Sequence, residues 1–208
     1  MTRSEMVTWF NILQDKFDTP YFTDSEKYNF LNDAQLNYIN RLLSLDENKR
    51  IRLEESIIAN AALQTIIISG SFSTTSSSVI TRATLKTQLS ISEDIITPLA
   101  FATSLGVPIK FVRFNDLYNL LNSSGLKTPT TAIPVYTLDS GGYSFYPTGA
   151  EYTSVKAMVL KMPVDITSSV DCELPEFTHR KIVAMAMVKT GFVTESQSTA
   201  LMSEATDG

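Results

Sequence analysis

Three residue types that carry much of protein chemistry are nearly missing from this sequence. Its 208 residues include one cysteine, Cys172, one histidine, His179, and one tryptophan, Trp9. A lone cysteine cannot close an internal disulfide, so the fold must hold without one and suits a reducing compartment. One histidine and one cysteine fall short of the ligand sets that hold zinc. Long apolar runs are also missing. The longest candidate, Leu63 to Ser69, is far below the roughly 18 to 20 residues of a membrane span. Glu5, Asn11 and Gln14 interrupt any basic-then-apolar leader, which predicts neither a signal segment nor a membrane partner. Excess positive charge is absent. Seventeen Lys and Arg against 22 Asp and Glu leave a net charge of −5, which argues against general or sequence-specific nucleic-acid binding. A surface past which DNA slides without sticking stays compatible with that balance. There is no G-x-G-x-x-G and no Walker A loop, because Gly141-Gly142 lacks the following lysine and helix start.

The remaining composition is globular, with 43% hydrophobic and 19% charged residues. Organisation centres on residues 128–163. Val135–Leu138 and Tyr143–Tyr146 are β-prone runs separated by Asp139-Ser140-Gly141-Gly142, a hairpin signal, and Pro134 and Pro147 bracket them. Val155–Met162 is apolar on nearly both faces and predicts a covered third strand of the same meander. Around it, the capping boxes Thr2-x-x-Glu5 and Thr23-x-x-Glu26 open predicted helices over 3–17 and 24–44. The first carries Met6, Trp9, Phe10, Leu13 and Phe17 on one stripe. Residues 53–63 read as a helix running into a short strand at 65–68. The Ser/Thr-rich stretch 69–78 reads as an exposed flexible loop, 79–87 and 108–114 as strands, and 116–122 as one or two helical turns. Ser90 and Glu93 are expected to open a turn limited by Pro98. The final helix is expected over 176–190, with Pro175 in its first turn, Gly191 as its cap, and Phe177, Lys181, Ala184 and Val188 on one stripe with Ile182, Val183 and Ala186 alongside. The expected fold class is α+β: N- and C-terminal helices around a small, mostly antiparallel sheet. One domain is expected over 1–191, followed by a flexible, acidic tail over 192–208.

No catalytic, cofactor-binding or metal-binding constellation emerges. His179 lies inside the last helix pattern and reads first as a helix-surface residue. Cys172 precedes it by seven positions, so a Cys172–His179 nucleophilic pair is the alternative, in a small cytoplasmic enzyme or regulator. Glu54-Glu55 and Glu93-Asp94 are adjacent acids that point in different directions, and read as solvated charges. Met158, Met162, Met185 and Met187 read as core filler before they read as an adaptable binding surface. Candidate partner-binding residues are the aromatic and apolar side chains on the added helix, the polar loop and the tail: Trp9, Phe10, Phe72, Phe192, Val193, Leu201 and Met202.

The layout as a whole resembles a known family. LNDAQLNYINRLL at 31–43, TRATL at 81–85, VRFNDLYNLL at 112–121, KTPTTAIPVY at 127–136, YSFYP at 143–147, MVLKMP at 158–163 and ELPEFTHRKIVAMAM at 173–187 follow one another in its order and spacing. This is similar to the neck adaptor proteins of short-tailed bacteriophages, the ring, head-to-tail connector or tail-tubular-A-like proteins, and most of all to the ring proteins of crAss-like phages. The likeness spans roughly residues 22–190. It implies a non-enzymatic structural protein of the virion neck, assembled in the bacterial cytoplasm. It also implies a dodecameric ring bound to the portal protein and to further neck or tail rings, without a cofactor, and with the tail as the portal-docking segment. The first helix, with Trp9 and Phe10, is an addition to that pattern, and the polar run 69–78 stands where a more structured loop belongs.

Overall fold

The structure is a computed structural model and describes residues 1–16, 21–44, 61–74, 79–122, 128–139, 142–147 and 154–191. Among these, five α-helices and a seven-stranded, mostly antiparallel, curled sheet give an α+β fold. The chain divides into two compact units, 1–66 with 162–208, and 67–161.

The first unit is helical. Helix α1 (Arg3–Lys16) and helix α2 (Asp24–Ser44) start where the capping boxes predict. Thr2 N–H donates to Glu5 Oε2 at 2.6 Å and Glu5 N–H to Thr2 Oγ1 at 3.3 Å, and Thr23 and Glu26 repeat the exchange at 2.8 and 3.4 Å. Each reciprocal pair satisfies two of the amide donors that a helix start leaves orphaned. α1 buries Met6, Phe10 and Leu13, the i, i+4, i+7 face expected of it. Phe10, Phe22 and Phe30 form a ring cluster with centroids 5.1 to 6.4 Å apart. Helix α5 (Glu176–Lys189) packs against both α1 and α2. Ala184 of the expected stripe and the flanking Ile182, Val183 and Ala186 are buried, but the buried surface is wider than expected. Phe177 is exposed, while Thr178, His179 and the whole run Ile182–Met187 are buried, because a helix packed against two others needs apolar groups on two sides. His179 is therefore a core residue and not a surface one.

Asparagine-rich α2 is held by tertiary hydrogen bonds, as its low helix propensity requires. Asn32 donates to the Ile166 carbonyl at 3.1 Å and accepts from the Ile166 amide at 2.7 Å, as a paired strand would. Gln35 donates to the Val164 carbonyl at 3.2 Å, and Val164 N–H donates to Glu173 at 3.1 Å. The connector from 162 to 175 is thus fixed to α2 without regular structure of its own.

The second unit is the sheet, in the order β1-β7-β3-β4-β5-β6-β2: β1 (Ile67–Phe72), β2 (Val79–Ile80), β3 (Ile95–Thr103), β4 (Pro108–Phe111), β5 (Val135–Asp139), β6 (Gly142–Tyr146) and β7 (Val155–Lys161). The hairpin is present as expected, with Val135 opposite Tyr146 and Leu138 opposite Tyr143. The meander is not. β7 pairs with β1 and β3 rather than with β6, and its inner residues Val155, Ala157 and Val159 are buried. One core gathers the inner faces of all seven strands, with Phe72, Phe101, Tyr136, Tyr143 and Phe145 as its aromatic centre.

Four further expectations are corrected. Residues 69–72 belong to β1. Its serines point outward and Phe72 inward, so a polar sequence hides a paired strand. Residues 75–78 of that stretch lie outside the described residues. The expected strand 79–87 is a two-residue strand followed by helix α3 (Arg82–Gln88), which Thr81 caps by accepting from Thr84 N–H at 3.1 Å. Ser90, with φ of 55°, ends that helix instead of opening a turn, and Ile91 N–H reaches back to the Lys86 carbonyl at 3.0 Å. β3 runs straight through Pro98, which a sheet interior normally rejects, because the pairing with β7 is irregular on either side of it. Finally, the expected strand 108–114 stops at Phe111, and helix α4 (Phe114–Leu121) begins two residues before the expected turn.

Candidate functional site

Two places could carry function: the Cys172–His179 region and the outer surface of the sheet unit.

Cys172 is held by α2, its thiol donating to Gln35 Oε1 at 3.0 Å. Burial is the main cause that pushes this thiol up to about 11; a backbone hydrogen bond at Leu174 opposes it, and the nearby Glu173 and Asp171 carboxylates add to it. Nucleophilic cysteines are shifted the other way, by cations or helix starts. His179 Nε2 lies 2.7 Å from the Leu174 carbonyl, which places the proton on that nitrogen, and its buried Nδ1 has no hydrogen-bond partner. Neither side chain hydrogen-bonds the other, so no proton relay links them. Among the described residues no group of three His, Cys, Asp or Glu side chains could hold a metal. The folded protein should accordingly alkylate with iodoacetamide at pH 8 roughly a hundredfold more slowly than the denatured chain, its rate climbing toward pH 11. Equal rates would refute the burial. Because the raised value belongs to the folded state, this group's contribution to stability is complete below pH 9 and is lost as pH rises toward 11.

The sheet surface is different. β4, α4 and β5 form a crossover unit: β4 and β5 are parallel, Lys110 opposite Val135 and Phe111 opposite Tyr136, and α4 joins them. α4 packs on β5 but carries more apolar residues than that contact uses. Leu117 is buried and Leu120 half-buried, while Phe114, Tyr118 and Leu121, at i, i+4 and i+7, are 64%, 72% and 43% exposed. Phe111, at the end of β4, is also 50% exposed, its ring 5.4 Å from Tyr136. The stripe itself carries no charge. Isolated exposed apolar residues such as Leu105 and Phe177 are ordinary, but three along one helix face are not.

A second feature lies on the outer face of β1, β7 and β3. Two cross-strand rows, Ser69–Met158–Ala100 and Ser71–Lys156–Ala102, line a shallow pocket of about 390 Å³. Small side chains on the outer strands make the hollow, and Lys156 and Met158 rise from its middle.

No protein-family model matches this sequence, and no curated protein matches it significantly.

Of the partner-binding residues expected from sequence, Phe10 and Phe72 serve this chain's own cores and are not surface anchors. Trp9 is half-buried on α1, with the Arg180 guanidinium 5.5 Å from its ring centroid, and keeps an accessible edge. Phe192, Val193, Leu201 and Met202 lie outside the described residues. Of the four methionines, Met185 and Met187 are core, while Met158 is half-buried in the pocket. The α4 stripe was not among the expected residues. Its signal was in the sequence: Leu117, Leu120, Phe114, Tyr118 and Leu121 give a short helix one broad apolar face, wider than its contact with β5 covers.

Proposed function

We propose that this chain is a structural protein of a tailed-phage neck, one subunit of a dodecameric ring that joins the portal to the tail and lets DNA pass. The observation that carries this is the uncharged aromatic stripe of α4, turned to solvent in a chain whose one cysteine is held as an unreactive thiol. Charge-free aromatic rows mark the centres of protein interfaces. A net charge of −5 suits a conduit that DNA crosses without binding. The portal protein and the adjoining neck or tail rings are the further partners in this reading, and the virion neck is its location.

The alternative, an enzyme or regulator using Cys172 and His179, predicts loss of function on Cys172→Ala. The ring reading predicts normal particle assembly and infectivity for that variant. Quantitative mass spectrometry of purified particles of the phage that encodes the chain should find it at fixed stoichiometry, equal to one ring per portal. Its absence from purified particles would overturn the proposal.

A further inference from the structure

The ring reading leaves open which faces join one subunit to the next. We infer that the α4 stripe of one copy seats in the β1–β7–β3 pocket of a second copy. This rests on the ring reading for its stoichiometry, but the contact itself is argued from the two surfaces.

A head-to-tail contact needs two unlike, complementary patches on one chain, so that each copy uses both and the series can close. The sheet unit presents such a pair. One patch projects and one recedes. The exposed parts of Phe114, Tyr118 and Leu121 offer on the order of 350 Å² of largely apolar area. That falls within the range of the largest patch on a typical monomer. It is a large fraction of the roughly 800 Å² that each side contributes to a standard stable interface. The pocket, at about 390 Å³, is in the size range that accepts compact organic groups, enough for aromatic rings entering from a helix.

The chemistry also matches. The Ser and Ala side chains of β1 and β3 let a helix approach closely on either side of Lys156 and Met158. Met158, between them, adapts its shape to an entering ring. The exposed Lys156 ammonium can lie over the face of Tyr118, an attraction that strengthens as water leaves. A two-fold contact of stripe against stripe would leave both pockets unused.

Disulfide trapping in the full-length chain tests this. In a Cys172→Ala background, Tyr118→Cys and Ser71→Cys variants are mixed and oxidised with copper–phenanthroline in air. Expected is a 118–71 cross-linked dimer, identified by peptide mass spectrometry, and a ladder of covalent oligomers from the variant that carries both changes. A 118–118 cross-link as the sole product overturns the proposal. So do failure to cross-link in a chain that self-associates, and a chain that stays monomeric at every concentration reached. Tyr118→Asp should weaken self-association about tenfold or more, while Leu105→Asp, on an exposed residue outside the stripe, should not. If Tyr118→Asp instead blocks attachment to the phage head with self-association unchanged, the stripe belongs to another neck protein and the inference falls. Electron microscopy separates this from the ring reading. Closed rings without the 118–71 link sink the contact alone. Open filaments with the link sink the ring alone.

Discussion

Phe101→Ala is expected to destabilise the sheet unit by about 3–5 kcal/mol, the range for losing a fully buried aromatic side chain. Phe101 sits on β3, an interior strand third in the sheet order. Its ring meets Tyr136 on β5 at 4.9 Å, Phe145 and Tyr143 on β6 at 5.2 and 5.5 Å, and Phe72 on β1 at 6.0 Å. All four of those partners lie on strands that are not hydrogen-bonded neighbours of β3, so the ring fills the interior around which the sheet curls. Truncation removes edge-to-face contacts with several strands at once, each worth about 0.5–1.5 kcal/mol beyond burial. The readout is amide hydrogen exchange of β3, β5 and β6, which should accelerate roughly a hundredfold or more. Phe111→Ala is the control. Its ring is half exposed and has one aromatic neighbour, so exchange should change less than about tenfold. Comparable protection in the two variants would show that Phe101 is not the centre of this core.

The parts of the fold that were legible in the sequence are those with local causes. The two capping boxes and the turn between β5 and β6 each depend on residues within four positions of one another, and a motif of that span can be read without knowing the tertiary structure. The expected strand at 65–68 overlaps the start of β1, but the second half of β1 was hidden because its outward positions are serines and Gly70 is an inner one, so beyond Ile68 only Phe72 announced a buried face. Gly70 is inner for a packing reason invisible in sequence: a Cβ there would lie 2.7 Å from the Leu89 side chain. α3 was read as a strand because one buried residue, Leu85, sets no period, and its cap, Thr81 with Thr84, lacks the acid that marks a capping box. The partners of β7 depend on chain entry from both sides of the sheet, which no local signal encodes. The same limit explains the site. Aromatic residues near the polar segments were natural candidates for partner contact, yet Phe10 and Phe72 face inward. The exposed row on α4 is told apart only once β5 shows which helix face is covered.

Gly142→Ala is expected to cost about 3 kcal/mol or more, although the substitution adds a single carbon. From sequence this glycine reads as half of a permissive turn. In the structure it is the first residue of β6, with φ of +142°, a conformation that side chains of L-residues rarely adopt and that costs about 1–3 kcal/mol to impose. The space is occupied as well. A Cβ at this position would fall 2.4 Å from the Ile80 carbonyl oxygen and 2.8 Å from Thr81 Cα. Both are backbone atoms, so no rotamer change relieves the clash, and β2 must move away from β6. That motion separates Val79 from Ser144 and Ile80 from Tyr143, the register pairs that hold this edge of the sheet. It also withdraws Ile80 from the core and shifts Thr81, which caps α3. Overpacking of this kind adds about 1–3 kcal/mol to the conformational strain. Gly106 supplies the comparison. Its φ is +85°, but nothing lies within 4 Å of the position a Cβ would take, so Gly106→Ala should show the left-handed penalty alone, about 1–2 kcal/mol. Denaturant unfolding of both variants, with hydrogen exchange across 79–89, measures the difference. Equal stability losses would mean that β2 yields without cost and that its pairing with β6 contributes little to the sheet.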